Sequence, residues 1–148
     1  MLILDIVSIV SIGLLVGTEF AVSAFINPML ARLDEAAQAT ATRLFAVRLG
    51  TVMPFWYAAS FILLIAEAVL RRHTSGTPLL IAAIAIWAAA IVLSVTILVP
   101  INNRIIQLDA GPFPAEARRA HARWESFHRI RVAALTAAMV CAIVAVYR

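Results

Sequence analysis

The chain has 148 residues, of which 64% are hydrophobic and only 14% charged, and its mean hydropathy is +0.98. A soluble domain of this size carries about a quarter of its residues as charges, so these values exclude an ordinary water-soluble fold and point to an integral membrane protein. The formal net charge is +4 and every basic residue is Arg, but the arginines form no groove interleaved with aromatics, which argues against a nucleic-acid partner.

A hydrocarbon core of about 30 Å takes roughly 20 apolar residues of helix. Four stretches qualify, at about 4–26, 52–70, 78–99 and 130–147. Only helices and closed barrels satisfy their backbone in lipid, and these apolar runs are too long for barrel strands. The first run carries Asp5 in place of a basic n-region and leads into Asn27-Pro28 without a small-residue cleavage site, so it is expected to be a span and not a cleaved leader. Its Gly13 and Gly17 form a GxxxG pair, a spacing that usually admits a close helix neighbour. The link over 29–51 is Ala-rich with Leu30, Leu33, Leu44 and Phe45, and predicts an amphipathic helical stretch near the surface. Span two enters through the aromatic run Met53-Pro54-Phe55-Trp56-Tyr57 and ends with Glu67 and Arg71 as an i, i+4 pair.

The short link 71–77 makes spans two and three antiparallel neighbours, and Pro78 suits a first helical turn. After Pro100 the sequence INNRIIQL continues helix three by about two turns, until Asp109-Ala110-Gly111-Pro112-Phe113-Pro114 breaks it. Helix four should start at Pro114 or Ala115, with Glu116 complementing the dipole. Unbroken to Tyr147 it would be about 50 Å long. Residues 1–148 therefore read as one all-α domain, an antiparallel four-helix membrane bundle whose helices three and four extend beyond the bilayer. Pro28 with Arg32, and Pro100 with Arg104, hint at a duplicated hairpin, while Cys141 sits mid-span as a structural thiol.

The two long links share one side of the membrane and hold most of the arginines, whereas the other side has only Arg71, Arg72 and Arg148. The positive-inside rule then places the links in the cytoplasm and both termini outside, in what is expected to be a bacterial inner membrane.

Polar residues inside the spans are the candidate site. Glu19 lies deep in span one, and at 100° per residue it shares a face with Ser23 and Asn27. An intramembrane carboxylate must face the bundle and find a partner, either as a structural clamp between helices or as part of a site. On helix four, His121, Trp124, His128 and Arg131 fall on one stripe. Interfacial anchoring accounts for Trp124, Arg123 and Arg129, but not for His128 and Arg131 on an inward-going stripe. Asn102 and Asn103 follow span three at the same level, and Trp56 and Tyr57 begin span two there. Together these groups outline a cavity that is aromatic below and polar above, with Glu19 as its floor.

Three chemistries compete for such a cavity. A metal site has a carboxylate and two imidazoles available, but His121 and His128 are two turns apart, roughly 10 Å, and no HxxxH, ExxH or CxxC pattern occurs. No metal ligand is assigned, and a metal ion or a haem held by one His is the minority reading. Transport of a small solute, most readily by a homo-oligomer, meets outer half-spans that are almost purely apolar. Proton abstraction from a flat, weakly acidic molecule fits best, with His128 as the base and Arg131 and the asparagines stabilising an oxyanion.

Four spans in this length, a polar residue ahead of NPML, then VPINNR (Pro100, Asn102, Asn103, Arg104) and W-E-x-x-H-x-x-R (Trp124, His128, Arg131) resemble the anthrone-oxygenase-like family of small membrane proteins. Most members of that family have no known function, and its fungal members oxidise anthrones to anthraquinones with O₂ without a bound cofactor. The resemblance implies a related oxygenase acting on a hydrophobic polycyclic or phenolic molecule, with O₂ as co-substrate and membrane lipid as surroundings. It further implies that His128 takes the proton, Arg131 and Asn103 hold the enolate or superoxide, Trp56 and Trp124 flank the ring, and Glu19 orients a group or relays the proton. The competing class is a non-enzymatic module that binds a lipid, quinone, haem or metal, or supports a partner protein.

Overall fold

The computed structural model describes residues 1–109 and 111–148, so Ala110, in the expected break, lies outside them. Its four helices are α1 (Leu2–Leu30), α2 (Glu35–Leu70), α3 (Thr77–Ile106) and α4 (Ala115–Val146). Each is long and apolar enough to cross a membrane, and among the described residues there is no strand. The chain is an all-α integral membrane protein, a bundle in which each helix packs on both of its neighbours in the ring α1–α2–α3–α4.

The core runs down the middle of this ring. Leu15, Leu64, Trp87 and Leu135, one from each helix, are almost wholly buried, and the Trp87 indole donates to the carbonyl of Tyr57 at 3.2 Å. Leu14, Ile62, Ile81 and Ile130 are more than half exposed, which is the expected arrangement where lipid and not water covers the outer face.

Helix α2 departs from the expectation of a separate surface segment. Asp34 caps it, accepting from the backbone N–H of Ala36 and Ala37, and it then runs for 36 residues through Pro54. Its first turns bury Ala39, Thr42 and Ala46, whereas Leu44 and Phe45 face outward, as does Leu33 ahead of the cap. Small residues make the helix contacts and large ones face the surroundings, the reverse of a soluble amphipathic helix. Helix α2 therefore projects with α3 and α4 beyond the central core. A small second core of Ala39, Ile105 and Phe113 ties the projecting parts together. Arg43 lies over the Phe113 ring at 5.3 Å and donates to the carbonyls of Asp109 and Gly111, pinning the break before α4. Gly111 takes a φ of 121°, open to glycine at little cost.

The expected GxxxG contact is not made. No atom lies within 4 Å of a side chain built at Gly13 or Gly17, because α1 turns Ile12, Leu15, Val16 and Glu19 inward instead. The close approach occurs at Gly76, before α3, where an added Cβ would collide with the Ala145 carbonyl of α4.

Helices α1 and α3 each contain one π turn, at Val22–Ile26 and at Ser94–Leu98. Each closes two residues ahead of a proline, Pro28 or Pro100. A proline ring crowds the carbonyl four residues before it and offers no N–H. A widened turn relieves both, so α1 continues past Pro28, and α3 runs on past Pro100 as the sequence predicts. The same device in the same register of α1 and α3 extends the correspondence between the two hairpins. It also breaks the expected Glu19–Ser23–Asn27 face: the extra residue per turn brings Val22 inward and carries Ser23 and Asn27 to half-buried positions.

Candidate functional site

Beyond the central core, towards the arginine-rich end, the four helices enclose a cavity of about 500 Å³. Its polar wall is built around Glu19, whose side chain is 4% exposed. Glu19 Oε1 accepts from the Tyr57 hydroxyl at 2.9 Å. Glu19 Oε2 accepts from Arg131 Nη2 at 2.6 Å and lies 3.2 Å from His128 Nδ1. Arg131 Nη1 donates to Ser94 Oγ at 2.8 Å, and the Ser94 hydroxyl in turn donates to the Ala90 carbonyl at 2.7 Å. The Arg131 guanidinium also lies 5.5 Å from the centre of the Tyr57 ring. One residue from each helix thus meets in a single cluster, with His128 the second contribution of α4.

The stripe on α4 continues outward as a stack of rings. Trp124 lies against His128 at 4.6 Å and 15°, and against His121 at 5.8 Å and 8°. Phe113 prolongs the series at 6.5 Å from His121. Such stacking follows from helical spacing, since residues three and four apart lie one above the other. Beside the stack, Glu125 lies 3.9 Å from both His121 Nε2 and Arg129 Nη2, and Arg123 lies 5.5 Å from the Phe127 ring.

The polarity of this cluster is incompletely used by the protein. Among the described residues, Trp124 Nε1, His128 Nε2 and Arg131 Nε are buried without a protein hydrogen-bond partner. Leaving such a group unpaired costs about 1–3 kcal/mol, and here three of them fall on residues that line one cavity. His128 Nδ1 lies 3.2 Å from Glu19 Oε2 and 3.0 Å from Arg131 Nη2, so it pairs as a donor to the carboxylate in one tautomer and as an acceptor from the guanidinium in the other. In the tautomer that donates to Glu19, Nε2 keeps its lone pair. A carboxylate that orients an imidazole with one basic nitrogen free is the arrangement needed for general-base chemistry.

Of the residues singled out in the sequence, Glu19, Tyr57, Asn102, Asn103, Trp124, His128 and Arg131 all line the cavity. Tyr57 belongs to the polar cluster as well as to the aromatic part of the cavity expected of it. Three residues lie outside the lining. Trp56 turns to the α1–α2 interface, where its indole donates to Ser11 Oγ at 3.1 Å, and so does not flank the cavity. Asn27 lies past the π turn of α1, and His121 reaches the site only through Trp124. Ser94 was not singled out. Its cue is positional: it opens the π turn ahead of Pro100, one helix face from Leu98. Among the described residues no group of three or more His, Cys, Asp or Glu side chains is placed to hold a metal ion.

No curated protein and no solved structure matches the chain. The sequence profile of the family described as Anthrone oxygenase matches residues 41–141, which takes in most of α2, all of α3 and most of α4, with Pro100, Asn102, Asn103, Trp124, His128 and Arg131. On a match over more than half of its length, this membrane-spanning chain belongs to the anthrone oxygenase family.

Proposed function

We propose that the protein is a membrane-embedded oxygenase acting on a hydrophobic aromatic molecule of the anthrone or phenol type, with His128 as its base. The observation that carries this reading is the buried Glu19–His128–Arg131 cluster at the wall of a largely apolar cavity, with His128 Nε2 unpaired. A flat ring system fits the apolar space, and its carbonyl or phenolic oxygen matches the free donors of Arg131 and Trp124 and the amide of Asn103.

In this reading His128 Nε2 removes a proton from the activated methylene, and the negative charge spreads onto the ring oxygen beside Arg131. The carbanion passes one electron to O₂, and the radical pair joins as a C–O bond. The peroxide anion takes back the proton held by His128. Loss of water, with cleavage of the O–O bond and departure of the second methylene hydrogen as a proton, leaves a carbonyl. One CH₂ and one O₂ become one C=O and one H₂O, so electrons balance without a further reductant. Glu19 stabilises the imidazolium that forms after the first step, as a carboxylate does for a histidine base.

Oxygen uptake by the purified protein with an anthrone tests the assignment, set beside His128→Ala. Equal rates would remove His128 from the chemistry. The reading needs no bound cofactor, so a Soret band, or stoichiometric copper or iron in purified active protein, would replace it with a cofactor-binding one. On the positive-inside rule we further propose that the arginine-rich end faces the cytoplasm, with both termini outside.

A further inference from the structure

The cavity is not closed on all sides. Its α1 and α4 walls are made by buried or half-buried side chains, whereas much of its α2 and α3 lining is exposed on the outside of the bundle. Pro54 and Ala58 of α2, and Val95 and Val99 of α3, both line the cavity and face outward, with Val95 62% exposed. Helices α2 and α3 pack together over their far halves and meet again where Val99–Ile106 approaches α2, but along the π turn at Ser94–Leu98 they have next to no contact. The opening therefore runs between α2 and α3, from Ala58 and Val95 inside the apolar spans to Gly50, Thr51 and Asn103 nearer the arginine-rich end, and its α2 and α3 lining carries no charged side chain.

From this we infer that the cavity loads sideways from the bilayer: its guest is a membrane-dissolved, flat hydrophobic molecule that passes between Ala58 and Val95, polar end first. An apolar rim at the level of lipid tails gives a bilayer-dissolved guest a continuous apolar route, along which only its polar atom exchanges partners at the end. A water-borne guest would instead come from the arginine-rich end, past the exposed Thr51 and Asn103, where the lining is polar. The π turn supplies the gap, because the widened turn draws α3 away from α2 beside Ser94, the residue that holds Arg131. Only the chemical nature of the guest rests on the proposed oxygenase reading; the route rests on the opening.

Leu98 lines the cavity and is 1% exposed, so a thiol there is reached only through the cavity. The test uses Leu98→Cys in a Cys141→Ala background, in phosphatidylcholine nanodiscs, with pyrene maleimide dissolved in the bilayer or a sulfonated maleimide confined to water. The pyrene reagent should label the introduced thiol and the sulfonated one should not. Narrowing the opening with Ala58→Trp, or independently with Val95→Trp, should slow pyrene labelling by about tenfold, as an access step that limits association would. Ile62→Trp, exposed on the same helix as Ala58 but outside the cavity lining, should leave it unchanged. Faster labelling by the sulfonated reagent, or labelling unaffected by both tryptophans, would overturn sideways loading. The oxygenase reading fails separately: absence of anthrone-dependent oxygen uptake leaves the labelling result intact. With uptake present, Ala58→Trp should lower kcat/KM and spare kcat.

Discussion

Two buried arginines hold carboxylates in this bundle, one near each end, and their surroundings differ in a way that separates a clamp from a site. Arg71 donates from Nε to Glu67 at 3.2 Å, from Nη2 to Asp5 at 2.7 Å and from Nη1 to the Val146 carbonyl at 3.4 Å, while Ser8 donates to Glu67. Every nitrogen of that guanidinium is used, and α1, α2 and the end of α4 are locked together. Arg131 has one carboxylate where Arg71 has two, keeps Nε unpaired, and shares its carboxylate with a histidine beside a cavity. Saturated pairing maximises cohesion; unsaturated pairing next to open space leaves polarity for a guest. The same residue types thus do different work according to whether their hydrogen bonds are all spent inside the protein.

The largest test of this contrast is His128→Ala. It removes the free base and leaves the Glu19–Arg131 pair in place, so anthrone-dependent oxygen uptake should fall by about 10²–10⁴-fold, the usual worth of a general base, with the thermal unfolding midpoint in detergent little changed. Arg71→Ala should do the converse. It strands two buried carboxylates, which costs about 3–5 kcal/mol of stability, yet the fraction that stays folded should turn over at the normal rate. Loss of turnover in folded Arg71→Ala protein, or unfolding of His128→Ala, would erase the distinction. Ser94→Ala sharpens it within the site. A hydrogen bond to a charged group is worth about 1.5–3 kcal/mol, and its loss should appear as a lower kcat with a midpoint lowered less than in Arg71→Ala, since Arg131 keeps Glu19. The smallest effect is expected at Gly17→Ala, which meets no neighbour and should stay within about 0.5 kcal/mol of the parent. A larger cost there would reveal a helix contact outside this chain.

How much of this could be read from the sequence depended on the regularity of each helix. The α4 stripe was legible because α4 is α-helical throughout, so arithmetic at 100° per residue holds from His121 to Arg131. Glu19 was legible as an ionisable group in an apolar run, although it lies outside the matched family region. Asn27 was not, because a π turn intervenes and the same arithmetic fails across it. Trp56 was misplaced because two hydroxyls, Ser11 and Ser60, form a polar spot on the neighbouring interface that no periodicity reveals. Ser94 passed unnoticed since a lone hydroxyl in an apolar helix usually returns its proton to its own backbone, as it does here, and its lone pairs carry no sequence signal. The surface reading of residues 29–51 applied a rule for soluble helices to a bundle that inverts it.

The pairing of Glu19 with Arg131 also has a consequence for how the protein is made. The partners are 112 positions apart, in the first and last spans. At a synthesis rate of about 5–20 residues per second, α1 exists for on the order of ten seconds before its counter-charge has been translated. During that interval a carboxylate sits in a span that lipid disfavours by a few kcal/mol. Arg71 reaches Asp5 much sooner, over 66 positions, and joins α1 to α2 while the second hairpin is still unmade. Assembly thus has an order written into its ion pairs, with the far end sealed first and the cavity completed only when the last helix arrives.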